Sequence, residues 1–384
     1  MKPNPVLVNI FILKIHVDVS NINNPEYAKT ALQAIDQISS ELREISLKIH
    51  EHPELGNQEK YAHELLVTYL KSKGFEVTPS AYGIETAFTA EFQSKVGKGK
   101  VVSFNSGIGH ACGHNLIAIS GVAAAIGIKS VIEKYEIEGT VKLFGTPAEE
   151  STNGKIDLIE AGAYDNVDIS LMVHPGVIDA AFMSFLALRP VTVEYFGKNA
   201  HASGDPWNGI NALDALISAY NNISLLRQQI LPTDRNDLRS LQPRIQKCFD
   251  AASEATGTKV KTNWKKEVHD VKSNEPLATR YEYYLTNVFG KNFRPKHEQS
   301  AFPIGSTDQG NVTYVVPGIH PMYDIHTLPG GNSNHTIGFT KAAKTILAHE
   351  ETIIASKGIT LVGLDFLIDD KFSKENNNDV FEEI

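Results

Sequence analysis

Residues 101–144 read VVSFNSGIGHACGHNLIAISGVAAAIGIKSVIEKYEIEGTVKLF, and this stretch predicts a strand, a helix and a second strand. Val101–Phe104 and Thr140–Phe144 are short apolar runs of the kind that form buried strands. Leu116–Tyr135 between them has the length of a helix. Strand–helix alternation continues on both sides of this stretch. The sequence therefore predicts an α/β fold with a mixed sheet flanked by helices.

A helical segment precedes this unit, and a different pattern follows it. Asn24 and Pro25 are a capping residue and a first-turn proline, and they begin a helix whose apolar residues recur at steps of three or four. The apolar stripe comprises Leu32, Ile35, Ile38, Leu42, Ile45 and Ile49. After about Phe185 the order becomes strand, helix, helix, strand, which predicts a small α+β insertion.

These patterns predict how the chain divides. We expect a main domain formed by residues 25–186 and 273–356, with an inserted α+β satellite domain at residues 187–272. A final helix, Ile337–Ile354, is expected to complete the main domain. An acidic tail at residues 357–384 is expected to follow it.

Composition and charge exclude several classes of protein. The 384-residue chain is 42% hydrophobic and has a formal net charge of −9 with no basic stripe, so a nucleic-acid binder is not expected. Two cysteines cannot build a disulfide framework, which indicates a reducing compartment. The apolar run Val6–Leu13 is too short to span a bilayer, so we expect a cytoplasmic protein with no membrane partner. The chain contains no Walker loop, GxGxxG fingerprint or GxSxG elbow, which counts against nucleotide binding and serine hydrolysis.

Potential metal ligands occur at predicted strand and helix boundaries. Cys112 and His114 lie in the loop GHACGHN (109–115), where a tight turn lets a thiolate and an imidazole face one point as zinc ligands. Glu149 and Glu150 follow the second strand. Of two adjacent carboxylates there, one can bind a metal ion while the other transfers protons. Taken alone, each cluster is more often an ordinary turn or a solvated pair of charges.

Two histidines extend this set. His174 follows the apolar strand Ile169–Val173, at the strand end where open α/β sheets bind ligands, and His335 precedes the final helix. Singly, each is more often a capping or satisfied histidine. Together, the candidate metal ligands are Cys112, His114, Glu150, His174 and His335. Five ligands exceed what one catalytic zinc uses while keeping a position open for water, so the count favours two metals with a shared ligand.

The order of the motifs resembles that of a known family. The chain contains GHACGHN (109–115), TPAEES (146–151), MVHPG (172–176), GKNAHAS (197–203), GSTDQGNV (305–312) and NHT (334–336). This series resembles the zinc metallopeptidase family of aminoacylase, carboxypeptidase G and the indole-acetyl-amino-acid hydrolases. It is most similar to the branch that contains the eukaryotic β-alanyl-lysine dipeptidase. The resemblance extends from about Pro25 to Ser356.

The resemblance implies a catalytic main domain, a satellite domain that forms a homodimer, and hydrolysis of the amide bond of small dipeptides or N-acyl amino acids. It implies two divalent metal ions, zinc or manganese, held by the five ligands named above. It also implies that Glu149 is the general base that activates a bridging water and later protonates the leaving amine. His201, in the satellite domain, would polarise the scissile carbonyl, often across the dimer interface.

Two segments depart from that family. It has an acidic segment similar to EYDALP before its GHACGHN loop, whereas here Phe104–Ile108 runs directly into Gly109. After Thr233–Arg235 the family continues through satellite strands that bind substrate, whereas here a helix follows at once. The satellite sheet is therefore expected to be short by about two strands, with apolar helix faces exposed. The competing hypothesis is a catalytically impaired relative that acts as a binding or scaffold protein.

Overall fold

The computed structural model describes residues 22–110, 112–229, 238–301, 305–328 and 332–377. The helices are α1 (Pro25–Glu51), α2 (Lys60–Ser72), α3 (His114–Tyr135), α4 (Gly154–Glu160), α5 (Ala212–Leu225), α6 (Leu238–Thr256), α7 (Glu275–Asn287), α8 (Lys296–Gln299), α9 (Gln309–Thr313), α10 (Ile337–Ala342), α11 (Ile346–Ile368) and α12 (Asp370–Asn377). The strands are β1 (Glu76–Pro79), β2 (Phe88–Gln93), β3 (Val101–Gly107), β4 (Thr140–Thr146), β5 (Ile169–Leu171), β6 (His174–Gly176), β7 (Val191–Phe196), β8 (Lys259–Trp264), β9 (Gly318–Ile319) and β10 (Met322–Asp324).

A six-stranded sheet forms the centre of the fold, in the order β1-β2-β4-β3-β5-β9. β2 is antiparallel to both β1 and β4, whereas β4, β3, β5 and β9 run parallel to one another. Val101 lies opposite Thr140 and Gly107 lies opposite Thr146, so β3 and β4 end side by side. The prediction of a mixed sheet flanked by helices is confirmed.

Helix α3 lies at the centre of the helical layer. It packs against α1, α11 and β3, and every residue from His114 to Ile128 is buried. A Cβ at Gly127 would lie 2.8 Å from Thr360 Cγ2 and 3.1 Å from Ile35 Cδ1, so glycine allows α1 and α11 to approach closely. Within the described ranges, α3 alone is long and apolar enough to cross a membrane. Of its apolar window, 89% is buried inside the protein, as in a core helix.

Helix α1 buries the apolar stripe that the sequence predicts. Its six stripe residues belong to the main core, and Pro25 occupies the first turn as expected. Asn24 differs from the prediction, because it adopts a left-handed conformation (φ 55°) and its side chain caps no backbone N–H. Its carbonyl oxygen instead accepts from the N–H groups of Tyr27 and Ala28.

The C-terminal segment also differs from the prediction. The expected helix Ile337–Ile354 is in fact two helices, α10 and α11, and the second continues to Ile368. Residues 357–368 therefore belong to a helix that contributes to the main core, and the prediction of a tail beginning at residue 357 is wrong there. Residues 378–384 of that predicted tail lie outside the described part of the chain.

Two charged residues of α11 are buried, and each has a partner that is distant in sequence. Lys357 is buried, and its Nζ lies 2.6 Å from Asp36 Oδ1 on α1. Asp365 is 1% exposed and accepts hydrogen bonds from Arg280 and Tyr284 of α7. Pairing compensates the desolvation of these groups, so a helix of mixed polarity fits into the core.

The inserted region, residues 187–272, contains a separate small sheet. β7 pairs with β8 in antiparallel register, and α5 and α6 lie between them in sequence and pack on this pair. The second strand of this pair, β8, ends at Trp264. In the described residues this sheet has two strands, in keeping with the expected shortening, while Thr233–Arg235 lies outside the described ranges. The outer side of α5 exposes the large apolar residues Leu213, Leu216, Ile217 and Tyr220.

Candidate metal centre

The parallel strands bring three of the candidate segments to one edge of the central sheet. β3 ends at Gly107 and leads into the loop with Cys112, whereas β4 ends at Thr146 and leads into the loop with Glu149. β5 ends at Leu171, shortly before His174. Because parallel neighbours point their carboxyl ends in one direction, these segments meet beyond that edge.

One group of donor atoms consists of Cys112, Glu150 and His335, and the atoms lie within 4.8 Å of one another. His335 Nε2 lies 3.1 Å from Glu150 Oε1. Asn334 fixes this arrangement, since its Nδ2 donates to Cys112 Sγ and to the Pro175 carbonyl oxygen, each at 3.1 Å. Asn334 lies in the NHT motif, but the motif alone predicts no role for its side chain.

A second group consists of His114, Glu149 and Glu150, again within 4.8 Å of one another. His114 Nε2 lies 3.7 Å from Glu149 Oε2 and 3.7 Å from Glu150 Oε1. Glu150 thus belongs to both groups. Two adjoining metal positions with one shared carboxylate would produce this pattern.

His174 lies beside the second group without belonging to it. Its ring centroid is 6.3 Å from that of His114, and the two rings are nearly perpendicular, at 89°. His174 Nδ1 and the Pro175 carbonyl oxygen form a hydrogen bond of 2.7 Å. This bond makes Nδ1 the donor and leaves Nε2 as the nitrogen with a lone pair for a ligand.

The donor chemistry of the site fits divalent cations. Both ring nitrogens of His114 are buried and have no hydrogen-bond partner among the described residues, which is costly for a neutral imidazole. Ligand atoms that share one ion at about 2.0–2.2 Å lie roughly 3–4 Å apart, as His114 Nε2 and the two carboxylates do. A cation between them would satisfy Nε2 of His114.

Burial and charge perturb the titration of these groups. Burial, and next the charge of Asp308, raises the pKa of Glu149 to about 7. Burial opposes ionisation of Glu150 as well, but His114 outweighs it and lowers the pKa of Glu150 to about 2. Burial also raises the pKa of the Cys112 thiol and lowers the pKa of His174 to about 4. Burial and neighbouring charges thus shift the pKa values of the two adjacent glutamates in opposite directions.

Three non-glycine residues of the site have left-handed backbone. The φ angles are 56° at Cys112, 60° at Ala148 and 67° at His335. Such conformations cost of order 1–3 kcal/mol each and persist where surrounding contacts enforce them, often at functional sites. The backbone at both ligand loops and at the NHT motif is therefore held by specific contacts.

His201 lies apart from these groups in the contacts that the structure describes. It is exposed, and its Nδ1 accepts hydrogen bonds from the N–H groups of Ser203 and Gly204 at 3.3 and 2.9 Å. Its own N–H donates to Asp205 Oδ1 at 3.0 Å. These are contacts within one loop of the inserted region, so the role of His201 stays a prediction.

Two buried features near the site were missed by the sequence analysis. His320 is 1% exposed, and in the described part of the chain neither of its ring nitrogens has a hydrogen-bond partner. Its ring centroid is 5.5 Å from that of His174. Lys155 and Asp308 form an ion pair with both side chains fully buried. Asp308 lies in GSTDQGNV, which was noted as a motif, whereas His320 carries no local signal beyond its position before a proline.

Comparisons with known proteins show the family of the chain. Residues 89–341 match the family described as Peptidase family M20/M25/M40. The chain is 37% identical to the Xaa-Arg dipeptidase of Mus musculus over 391 aligned positions, covering 88% of each chain. It is 35% identical to the Xaa-Arg dipeptidase of Homo sapiens over 388 positions, covering 87% of each chain.

Solved structures share the fold. A dinuclear metal-binding peptidase of the M20 family from Bacillus subtilis superposes with a TM-score of 0.60 at 16% identity, covering 86% of this chain and 99% of the other. An aminobenzoyl-glutamate utilization protein from Klebsiella pneumoniae gives a TM-score of 0.65 at 15% identity, covering 88% and 99%. The family resemblance read from the motifs is confirmed by the sequence matches. The chain belongs to peptidase family M20/M25/M40.

Proposed function

We propose that the chain is a metal-dependent hydrolase that cleaves the amide bond of dipeptides or N-acyl amino acids. The observation that carries this proposal is the membership of Glu150 in both donor groups, which is suited to two neighbouring cations. The names of the relatives support the substrate class, since they include dipeptidases, an aminobenzoyl-glutamate hydrolase and an N-acetyl-L-cysteine deacetylase. The Bacillus subtilis peptidase of the same fold supports a pair of metals by its description as dinuclear.

In this proposal, five side chains hold the metals: Cys112, His114, Glu150, His174 and His335. The set of one thiolate, three imidazoles and one carboxylate favours zinc, with manganese as the other candidate. When bound, such cations supply Lewis acidity, which polarises a carbonyl oxygen and acidifies water. Both cysteines are free thiols, which supports the proposal of a reducing, cytoplasmic location.

Glu149 is the proposed general base and acid. In this role the carboxylate accepts a proton from attacking water and returns it to the leaving amine. Without metal, burial raises its pKa to about 7. Burial sets this value, because the neutral carboxyl is favoured where water is excluded. Glu150 beside it stays ionised, so the two neighbours divide metal binding and proton transfer between them.

His201 and the homodimer belong to the same proposal. The exposed apolar side of α5 supports association through the inserted region, because large apolar side chains on one helix face favour burial against a partner. The exposed imidazole of His201 would then reach the scissile carbonyl oxygen of a substrate bound by the partner and stabilise the developing negative charge.

Turnover by the purified full chain tests this function. The chain, loaded with zinc or manganese, is incubated with a panel of dipeptides that have a basic C-terminal residue, and amine release is measured. We expect hydrolysis that a chelator abolishes. Glu149→Gln should lower kcat by about 10²- to 10⁴-fold and keep its metal. If the wild type and Glu149→Gln both bind metal and neither hydrolyses the dipeptides, the result would instead support the scaffold hypothesis.

A further inference from the structure

Glu59 is a fully buried carboxylate outside the proposed ligand set. It immediately precedes α2, and its side chain is 0% exposed. Oε1 accepts a hydrogen bond of 2.8 Å from the backbone N–H of Ala148, and Oε2 accepts one of 3.1 Å from the Thr86 hydroxyl. Both partners are neutral, so the carboxylate is desolvated with hydrogen bonds alone as compensation, which is costly. The cost of burying this carboxylate indicates that Glu59 has a specific role in the structure.

The Ala148 peptide organises the loop that carries the two glutamates. Its carbonyl oxygen accepts from the N–H groups of Ser151, Thr152 and Asn153 at 3.2, 3.1 and 2.9 Å. Its N–H donates to Glu59, and its own φ of 60° is unfavourable for alanine. Glu149 follows Ala148 directly, so the backbone conformation at Ala148 sets the positions of Glu149 and Glu150.

The same carboxylate also lies close to the other ligand loop. A Cβ added to Gly109 would lie 3.4 Å from Glu59 Oε1, which places that oxygen against the first residue of GHACGHN. Gly109 has φ 123°, a conformation open to glycine and strained for other residues. One buried side chain therefore lies between the loop of Cys112 and His114 and the loop of the glutamates.

We propose that Glu59 is a positioning residue that holds the two ligand loops in register through the Ala148 N–H. The inference rests on the proposed function insofar as those loops carry metal ligands. A purely structural role is distinguishable, since that role would work through Thr86 and the α2–β2 contact and would leave the ligand loops unaffected.

Four variants of the full chain separate these roles. Glu59→Ala removes both hydrogen bonds, and Glu59→Gln keeps an acceptor for the Ala148 N–H while its amide can donate to Thr86. Thr86→Val removes only the hydroxyl contact. Glu54→Ala is the matched control, because the Glu54 carboxylate accepts from the N–H groups of Tyr61 and Ala62 at the same helix end. It has no hydrogen bond to the described residues of either ligand loop.

The first measurement is amide hydrogen exchange of metal-free protein over residues 145–153. We expect Glu59→Ala to accelerate exchange there by at least about tenfold, since the Ala148 N–H loses its acceptor. Glu59→Gln, Thr86→Val and Glu54→Ala should leave this segment close to wild type. Because no metal is present, this arm tests the inference even if the proposed metal site fails.

The second measurement is zinc affinity, from metal content after dialysis against buffers of graded free zinc. Glu59→Ala should bind zinc about 10- to 100-fold more weakly, with Glu59→Gln and Glu54→Ala near wild type. Unchanged exchange or unchanged zinc affinity in Glu59→Ala overturns the inference, as does equal loss in Thr86→Val. A wild type that binds no zinc refutes the proposed function separately. If Glu59→Ala does not fold, the shorter Glu59→Asp replaces it with the same expectations.

Discussion

The buried pair of Lys155 and Asp308 offers a test of how the site is supported. Both side chains are 0% exposed, and Lys155 Nζ lies 2.5 Å from Asp308 Oδ1. Asp308 Oδ2 also accepts from the backbone N–H of Lys155 at 2.9 Å. The pair therefore fixes the first turn of α4, directly after the loop that carries Glu149.

Lys155→Met removes the cation and leaves the Asp308 carboxylate buried with one backbone hydrogen bond. Breaking a buried pair in this way costs about 3–5 kcal/mol of unfolding free energy. The double variant Lys155→Met with Asp308→Asn removes both charges of the pair. Its Asn side chain keeps an oxygen that accepts from the backbone N–H of residue 155. The double variant should therefore recover most of the loss, with an interaction free energy of about 2 kcal/mol or more.

Urea unfolding of the metal-free variants, followed by fluorescence and circular dichroism, measures these free energies. A conservative surface change, Lys261→Met at an exposed pair with Glu194, is the control and should stay within about 0.5 kcal/mol of wild type. The reasoning is refuted if Lys155→Met is as stable as wild type, or if the two substitutions are simply additive.

Three further predictions concern the thiol, a buried histidine and the exposed helix. Cys112→Ala should lower bound zinc from two equivalents to at most one by elemental analysis, and retention of two would remove Cys112 from the ligands. Burial lowers the pKa of His349 from 6.5 to about 4. As the pH falls, this histidine is therefore protonated in the unfolded chain before it is protonated in the folded chain. The free energy of unfolding decreases between pH 6.5 and pH 4 by up to about 3 kcal/mol. In His349→Gln the urea midpoint should change less between pH 7 and pH 4.5 than it does in the wild type. An unchanged pH dependence of the midpoint would contradict this. Leu216 is 49% exposed on α5, so Leu216→Glu should change the free energy of unfolding by no more than about 0.5 kcal/mol. The same substitution should halve the molecular mass measured by light scattering. A monomeric wild type would refute the dimer.

Local sequence patterns predict the parts of the fold that depend on near neighbours. The unit β3–α3–β4 follows from apolar runs and their lengths, and its strand ends bring Cys112 and Glu149 to one edge. The apolar run Ile359–Ile368 is a local signal for the extension of α11 past residue 356, and the prediction of a tail overlooked it. The pairing of Lys357 with Asp36, 321 positions away in sequence, is information that no local pattern contains.

The supporting residues of the site were missed for the same reason. Glu59 reaches Ala148 across 89 positions, and Lys155 reaches Asp308 across 153. In the sequence, each is an ordinary charged residue next to a helix, where a solvated side chain is the usual outcome. The ligand motifs were recognisable because several chemically related residues fall at strand ends, whereas a single buried charge becomes visible only once its distant partner is known.

Metal stoichiometry tests the central claim most directly, namely that scattered side chains form one site for two cations around Glu150. Wild-type chain dialysed against zinc and then against metal-free buffer is analysed for zinc per chain, beside Glu150→Ala. We predict two equivalents in the wild type and loss of both in Glu150→Ala, because this carboxylate belongs to both donor groups. One equivalent or none in the wild type, or two retained by Glu150→Ala, would contradict the claim.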